Sequence, residues 1–261
     1  MTIWLIGGTQ ESAELAEAMM ALHLPCVVTV VSESARSLYP ASLPIWVGQL
    51  SIEQIPDFLQ QYQIDRILDA SHPFAVAISQ LAITVSERYR IPYLRYERPP
   101  VNAATDSAIK PSIEYFDSVA ALLSTDRLVN QRVLLTVGYR SLPLFASWQQ
   151  QAYLFARILP SSVALETALA AGFTPDRIIA LRPPISVALE TALWQQWQIS
   201  TVVTKASGTA GGEAVKQQVA AALGVKLIVI ERPAIAYPQQ TSDPDMALSF
   251  CKRPLSRQET G

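Results

Sequence analysis

A chain of 261 residues, half of them hydrophobic, has enough apolar material for one large α/β domain or two of about 100 to 130 residues each. Its formal net charge of −2 excludes a general attraction to nucleic acid or to an anionic membrane, so an anionic ligand must be held by local groups. Two distant cysteines, Cys26 and Cys251, and two histidines, His23 and His72, give no basis for a disulfide framework or a metal site.

No run reaches the roughly 18 apolar residues of a membrane span, and Glu11, Glu14 and Glu17 disfavour a signal peptide. A cytoplasmic protein is therefore expected. The first stretch, Thr2-Ile3-Trp4-Leu5-Ile6-Gly7-Gly8-Thr9, reads as a buried strand entering a glycine turn, followed by a helix with Ala13, Leu15, Ala16 and Met19 on its apolar face. Such a turn brings backbone N–H groups to a helix N-terminus, where the aligned peptide dipoles favour a phosphate. Gln10 and Ser12 break the G-x-G-x-x-G pattern, so an ordinary βα turn is the competing reading. Residues 25–31 form a second β-branched strand ending in Ser32-Glu33-Ser34-Ala35-Arg36. Glu33 suits the ribose 2′-OH of NAD, whereas Ser32, Ser34 and Arg36 suit the 2′-phosphate of NADP.

Further strands are expected at 45–48, 65–70 and 92–96, with helices over 51–61 and 75–89. This alternation predicts a parallel sheet covered on both faces, with ligands outside the carboxyl ends of its strands. Asp69-Ala70-Ser71-His72-Pro73-Phe74 falls at such an end. His72 there can contact cofactor or substrate, or simply cap and pack. The proline-rich run from Glu97-Arg98-Pro99-Pro100 to Asp106 marks a boundary between domains, and Arg95 and Arg98 beside it suit an acidic ligand.

The second half repeats the pattern, with strands expected at 113–116, 132–136, 153–157, 177–181, 201–204 and 226–230. The octapeptide Ser-Val-Ala-Leu-Glu-Thr-Ala-Leu occurs at 162–169 and again at 186–193, read as successive helices of similar role. Strand ends in this half carry Tyr139 and Arg140, Arg157, Arg182, and a lysine loop, Lys205-Ala206-Ser207-Gly208-Thr209-Ala210-Gly211-Gly212. Glycines and hydroxyls before a helix suggest an anion-binding concavity. The order G-x-x-x-x-G-K-[ST] is absent, which argues against triphosphate hydrolysis. The expected architecture is thus two Rossmann-like or flavodoxin-like α/β domains, residues 1–100 and 101–232, with parallel sheets and an interdomain cleft. Residues 233–261 are expected to be a partly disordered tail.

The motifs Leu5-Ile6-Gly7-Gly8-Thr9-Gln10-Glu11, Asp69-Ala70-Ser71-His72-Pro73-Phe74, Leu94-Arg95-Tyr96-Glu97-Arg98-Pro99, Thr204-Lys205-Ala206-Ser207-Gly208 and Arg232-Pro233 together resemble the precorrin-6A reductase family, including its cobalt-precorrin-6A branch. Two positions depart from the family pattern. Ala206 stands where a polar residue is typical, and Arg182-Pro183-Pro184-Ile185 replaces a Gly-Pro-Phe-like turn. The resemblance implies an enzyme that reduces one double bond of the precorrin-6A macrocycle with NADPH to give precorrin-6B, in cobalamin biosynthesis, as a monomer or homodimer. On the cofactor side it implies Gly7, Gly8, Thr9 and Glu11 at the turn, Ser32, Ser34 and Arg36 at the 2′-phosphate, and Ser71, His72 and Pro73. For the tetrapyrrole carboxylates it implies Arg95, Arg98, Arg140, Arg157, Lys205, Ser207 and Gly208. His72, Tyr139 and Lys205 are candidate proton donors, with solvent or a substrate carboxyl equally open. Two other readings compete: another NAD(P)-dependent reductase or epimerase, and a non-catalytic two-domain ligand-binding protein.

Overall fold

Short runs of Val, Ile and Leu whose side chains are buried on both faces become inner strands of parallel sheets. In the computed structural model, which describes residues 2–99, 112–208 and 211–252, the chain begins with β1 (Thr2–Ile6), α1 (Gln10–Ala21), β2 (Cys26–Val30), α2 (Glu33–Arg36) and β3 (Ile45–Val47). It continues with α3 (Ile55–Tyr62), β4 (Ile64–Asp69), α4 (Val76–Tyr89) and β5 (Tyr93–Tyr96). The next elements are β6 (Ile113–Phe116), α5 (Val119–Leu123), β7 (Arg132–Thr136), β8 (Tyr153–Ile158), α6 (Ser162–Ala170) and β9 (Ile178–Ala180). Then come α7 (Val187–Gln196), β10 (Thr201–Lys205), α8 (Glu213–Leu223), β11 (Lys226–Ile230), β12 (Gln240–Thr241) and α9 (Pro244–Lys252). Most of the predicted linker, at 100–106, lies outside the described residues, as do Thr209, Ala210 and the polar end at 254–261.

The chain divides into two compact units, Met1–Pro99 with Ala234–Gly261, and Pro100–Pro233. The first contains a six-stranded parallel sheet ordered β3-β2-β1-β4-β5-β12. This is the doubly wound 3-2-1-4-5-6 order, with the sixth place taken by a strand from the far end of the sequence. Alternation along the strands sorts the core into two faces. Trp4, Ile6, Val27 and Ile67 pack with Phe58 of α3 and Val85 of α4 on one side, and Trp4 also donates from Nε1 to Thr29 Oγ1 at 2.9 Å. Leu5, Val28 and Leu68 pack with Met19 of α1 and Ala247 and Cys251 of α9 on the other. Burial pushes the Cys26 thiol up to about 11 and the Cys251 thiol up to about 12, so both behave as core hydrophobes.

The second unit holds a parallel sheet ordered β9-β8-β7-β10-β11-β6. Counted from β7, this repeats the 3-2-1-4-5 order, with β6 at the outer edge. In each sheet the winding direction reverses once, between β1 and β4 and between β7 and β10. The crevice outside the carboxyl ends of those two strands is the usual ligand position in open α/β sheets.

Two features differ from the sequence reading. The segment read as a tail contains β12 and α9, both integral to the first unit. Arg95 N–H donates to Gln239 O and Glu97 N–H to Thr241 O, each at 2.9 Å, and Arg66 Nη1 donates to the Phe250 and Cys251 carbonyls at 2.8 and 3.1 Å. The repeated octapeptides are also not equivalent. Ser161, the residue before the first copy, caps α6 through Ala164 N–H, whereas Ser186, the first residue of the second copy, caps α7 through Leu189 N–H. That one-residue difference in phase leaves Glu166 exposed while Glu190 is buried.

Candidate active-site edges

At the first reversal, Thr9 caps α1. Its Oγ1 accepts from Ser12 N–H at 3.1 Å and donates to the Ala70 carbonyl at 3.1 Å, tying the glycine turn to the end of β4. Ser12 Oγ in turn accepts from Thr9 N–H at 3.0 Å and donates to the Thr9 carbonyl at 2.7 Å. The glycines serve a purpose the sequence does not reveal. Gly7 N–H donates to Thr29 O at 3.0 Å and Gly8 N–H to Tyr39 Oη at 2.7 Å, so neither amide is held out for a ligand. A Cβ on Gly7 would lie 2.2 Å from Tyr39 Oη, so the missing side chain admits the phenol, which also shares a 2.5 Å hydrogen bond with Ser12 Oγ. Gly8 has φ +102°, a conformation that glycine adopts without penalty, and faces open space. The N–H groups of Gln10 and Glu11, one turn too early for an intrahelical partner, remain the natural anion donors of this helix end.

Beside this turn, at the end of β2, Ser32 accepts from Ala35 N–H at 3.3 Å and lies 3.0 Å from Ser34 Oγ. Arg36 is 3.8 Å from Glu33, with 54% of its side chain exposed. A pair so open to water is weak, and Arg36 can leave it at little cost.

Asp69 and Arg95 are register partners on β4 and β5, and their side chains meet at 2.8 Å with no solvent exposure. Besides Arg95, Asp69 accepts from Ser71 N–H at 3.0 Å, Ser79 Oγ at 2.6 Å and Tyr93 Oη at 2.8 Å. Arg95 also donates to Ser71 Oγ at 3.0 Å and to Glu97 at 3.1 Å, and its guanidinium lies 5.2 Å from the Tyr237 ring. Burial opposes the charge on Arg95, but Asp69, Tyr237 and Glu97 outweigh it, and the net effect is a raised pKa. The same burial and the Asp69 carboxylate push the Tyr93 phenol up. Arg95 is therefore an internal strut that holds the Ser71 loop, in contrast to its expected position facing an acidic ligand. Arg98 is also engaged, pairing with Glu11 of α1 at 2.5 Å. A small cavity of about 10 Å³ between Thr9, Glu11, Ser71, Pro73, Arg95 and Arg98 has room for one water. His72 is half-buried. Its Nδ1 accepts from Phe74 N–H at 3.2 Å, which leaves Nε2 to carry the proton in the neutral ring.

At the second reversal, Gly138 (φ +82°) turns the chain from β7 into a 3₁₀ segment, Tyr139–Gln150, and the Arg140 guanidinium lies 5.6 Å from the Tyr139 ring. Lys205 ends β10. Burial, and then the Arg140 charge, lower its pKa. Arg140 and Arg182 are exposed at this edge, whereas Arg157 is not available in the same way. It forms an ion pair with Glu190, with side-chain exposures of 10% and 2%. The lysine loop likewise turns inward. Gly208 N–H donates to Glu213 at 2.9 Å, and Ser207 packs where a Cβ on Gly211 would come within 1.8 Å of its Oγ. Sequence reasoning gave no role to Tyr39, Glu190, Glu213 or Lys216, although Glu190 lies in the second octapeptide and Glu213 and Lys216 in the helix after the lysine loop.

Glycine turns, helix ends and cations at the reversal points of two parallel sheets define a doubly wound α/β enzyme of two units. A family model described as precorrin-6x reductase CbiJ/CobK matches residues 2–252. A cobalt-precorrin-6A reductase from Synechocystis sp. is 49% identical over 256 residues, covering 97% of this chain and 97% of its own. Another, from Priestia megaterium, is 31% identical over 239 residues, covering 90% and 92%. Among solved structures, a CobK precorrin-6A reductase matches with TM-score 0.77 and 22% identity, covering 95% of each chain. This chain belongs to the precorrin-6x reductase family. It is an oxidoreductase of cobalamin biosynthesis acting on a CH–CH bond, a reduction that implies a nicotinamide cofactor. Among the described residues, no helix is long and apolar enough to cross a membrane, and no group of three or more His, Cys, Asp or Glu could hold a metal ion.

Proposed function

We propose that this enzyme uses NADPH to reduce a carbon–carbon double bond of precorrin-6A, or of its cobalt form, giving the corresponding precorrin-6B. The observation that carries the cofactor choice is Arg36. It is half exposed beside Ser32 and Ser34 at the end of β2, next to the helix end whose Gln10 and Glu11 N–H groups suit a diphosphate. The residues present fit NADPH: Arg36 and the two serines would hold the 2′-phosphate, with Arg36 exchanging Glu33 for it. The cavity beside Arg95 is too small for a nicotinamide, so the cofactor's place is along the outer rim, over Gly8 and the Ser71-His72-Pro73 loop.

When bound, NADPH supplies the hydride; the protein orients the reacting carbons and keeps water out. Substrate carboxylates suit the exposed Arg140 and Arg182 and the half-buried Lys205 of the second edge. The lowered pKa of Lys205 favours it as the proton source, ahead of Tyr139, which no observation singles out as an acid. His72 would instead serve the first edge. The test is anaerobic incubation of the protein with precorrin-6A, or its cobalt form, and NADPH or NADH. Loss of reduced nicotinamide absorbance in step with the tetrapyrrole spectrum, faster with NADPH, is expected. No oxidation with either substrate would refute the reading.

A further inference from the structure

Two charged side chains of α8 hydrogen-bond to the backbone of the lysine loop. Glu213 is 3% exposed and accepts from Gly208 N–H; Lys216 is 2% exposed and donates to Gly211 O at 2.9 Å. Ala206 N–H also donates to Ile230 O at 2.8 Å, and Arg232 Nε donates to Ala206 O at 2.9 Å. Gly208 and Gly212 have φ of +74° and +71°, so this path is fixed by its partners more than by backbone preference.

Burying an ammonium is costly unless it is compensated. Here the compensation is a four-charge group: Lys216 and Arg157 of β8 against Glu190 of α7 and Glu213 of α8. A hydrophobic residue at position 216 would avoid that cost but leave the buried carboxylates of Glu190 and Glu213 opposed by Arg157 alone. The Lys216 ammonium also donates to Gly211 O, so the same charge that sits in this group holds the loop. Arg157, expected to bind substrate directly, enters the same group as a support.

We propose that Glu213 and Lys216 are positioning residues that fix the loop running from Lys205 and so aim Lys205 at the substrate. The inference rests on the reading of Lys205 as a substrate-edge cation. It gives the buried charges a part in the geometry of the reaction beside their part in the fold. Burial, opposed by the neighbouring carboxylates, lowers Lys216 to about 8, so the clamp is charged at neutral pH and loosens as pH rises past that value.

The test uses the full chain and the variants Lys216→Met, Lys216→Arg, Glu213→Gln and Lys205→Ala. Amide hydrogen exchange of the peptide covering residues 205–216 is measured alongside binding of NADPH and of precorrin-6A. Lys216→Met and Glu213→Gln each remove one member of the buried charge group, so both should melt lower than wild type, yet the folded proteins should bind NADPH normally, and exchange elsewhere in the second unit should change less than in the loop. Exchange in that peptide should speed up at least tenfold, and precorrin-6A affinity should fall about tenfold. Lys216→Arg should restore affinity and abolish the loosening near pH 8. If Lys216→Met fails to fold, the isosteric Glu213→Gln carries the same comparison. Wild-type exchange in the loop of either folded variant, or lost affinity with unchanged exchange, would overturn the clamp. Unchanged precorrin-6A affinity in Lys205→Ala would instead refute the substrate reading, while the exchange data still decide whether Glu213 and Lys216 order the loop.

Discussion

Replacing Arg95 by methionine separates an internal strut from a ligand contact. The guanidinium and Asp69 are both fully buried, and the side chain also bonds Glu97 and Ser71. Its removal leaves Asp69 with three neutral donors and no opposing charge, and leaves Glu97, only 9% exposed, without its Arg95 bond. Breaking a buried pair in this way costs about 3–5 kcal/mol, a large share of the roughly 5–15 kcal/mol that stabilises a typical domain. Lysine keeps the charge but loses the fork that reaches both carboxylates, so Arg95→Lys should cost about 1.5–3 kcal/mol. Equilibrium urea unfolding, read by hydrogen exchange in peptides from β1, β4 and β10, assigns the loss to a unit. Only β1 and β4 should lose protection at lower urea. If Arg95→Met kept stability within about 1 kcal/mol while weakening tetrapyrrole binding, the strut argument would fail.

Four further outcomes follow from the geometry. Arg36→Ala should raise KM about tenfold or more for NADPH and leave NADH nearly unchanged; steady-state kinetics with both nucleotides checks this. Gly7→Ala should destabilise the first unit by about 1–3 kcal/mol, because its Cβ collides with Tyr39, and should exceed the backbone-only cost of Gly8→Ala in thermal melts. Lys205→Ala should weaken tetrapyrrole binding and spare NADPH affinity, by fluorescence titration of each. The fourth concerns pH. Folding lowers the Lys216 pKa from 10.5 to about 8, so between those values the unfolded chain binds the extra proton. Stability of the second unit should therefore gain from this group as pH rises from about 8 to about 10.5, and Lys216→Met should lack that gain in paired urea titrations.

Much of the fold was legible because buried parallel strands advertise themselves as short β-branched runs. The strands from β1 to β11 fall within a residue or two of their expected bounds, and the reversal points carry the loops chosen from sequence. The direction of the side chains was less legible. The sequence reading picks Arg95 for its place beside the proline-rich boundary and Arg157 for its place at a strand end, yet both turn inward onto carboxylates. A signal existed for Arg95, since Tyr93-Leu94-Arg95-Tyr96 sets an arginine inside an apolar strand whose neighbour ends in Asp69. For Arg157 there was none, because Glu190 lies 33 positions away on α7 and no local pattern links the two. Tyr39 reaches Gly8 across 31 positions, and no local pattern announces that contact. The strand β12 escaped notice because two residues between turn-forming prolines carry no periodicity, although Ala247 and Cys251 of α9 share the spacing of a helix face.

The interrupted first unit has a consequence for how the protein is made. Its sheet is bordered by β12 and its α1 side is covered by α9, both encoded after the whole of the second unit. On the ribosome, the nascent N-terminal half emerges first but lacks its last edge strand until residue 241 has been translated, and the Arg66 guanidinium waits still longer for the carbonyls of Phe250 and Cys251. The portion synthesised earliest is thus completed last. A premature stop anywhere before α9 would release a chain whose first unit is left open, even with every residue of its glycine turn in place.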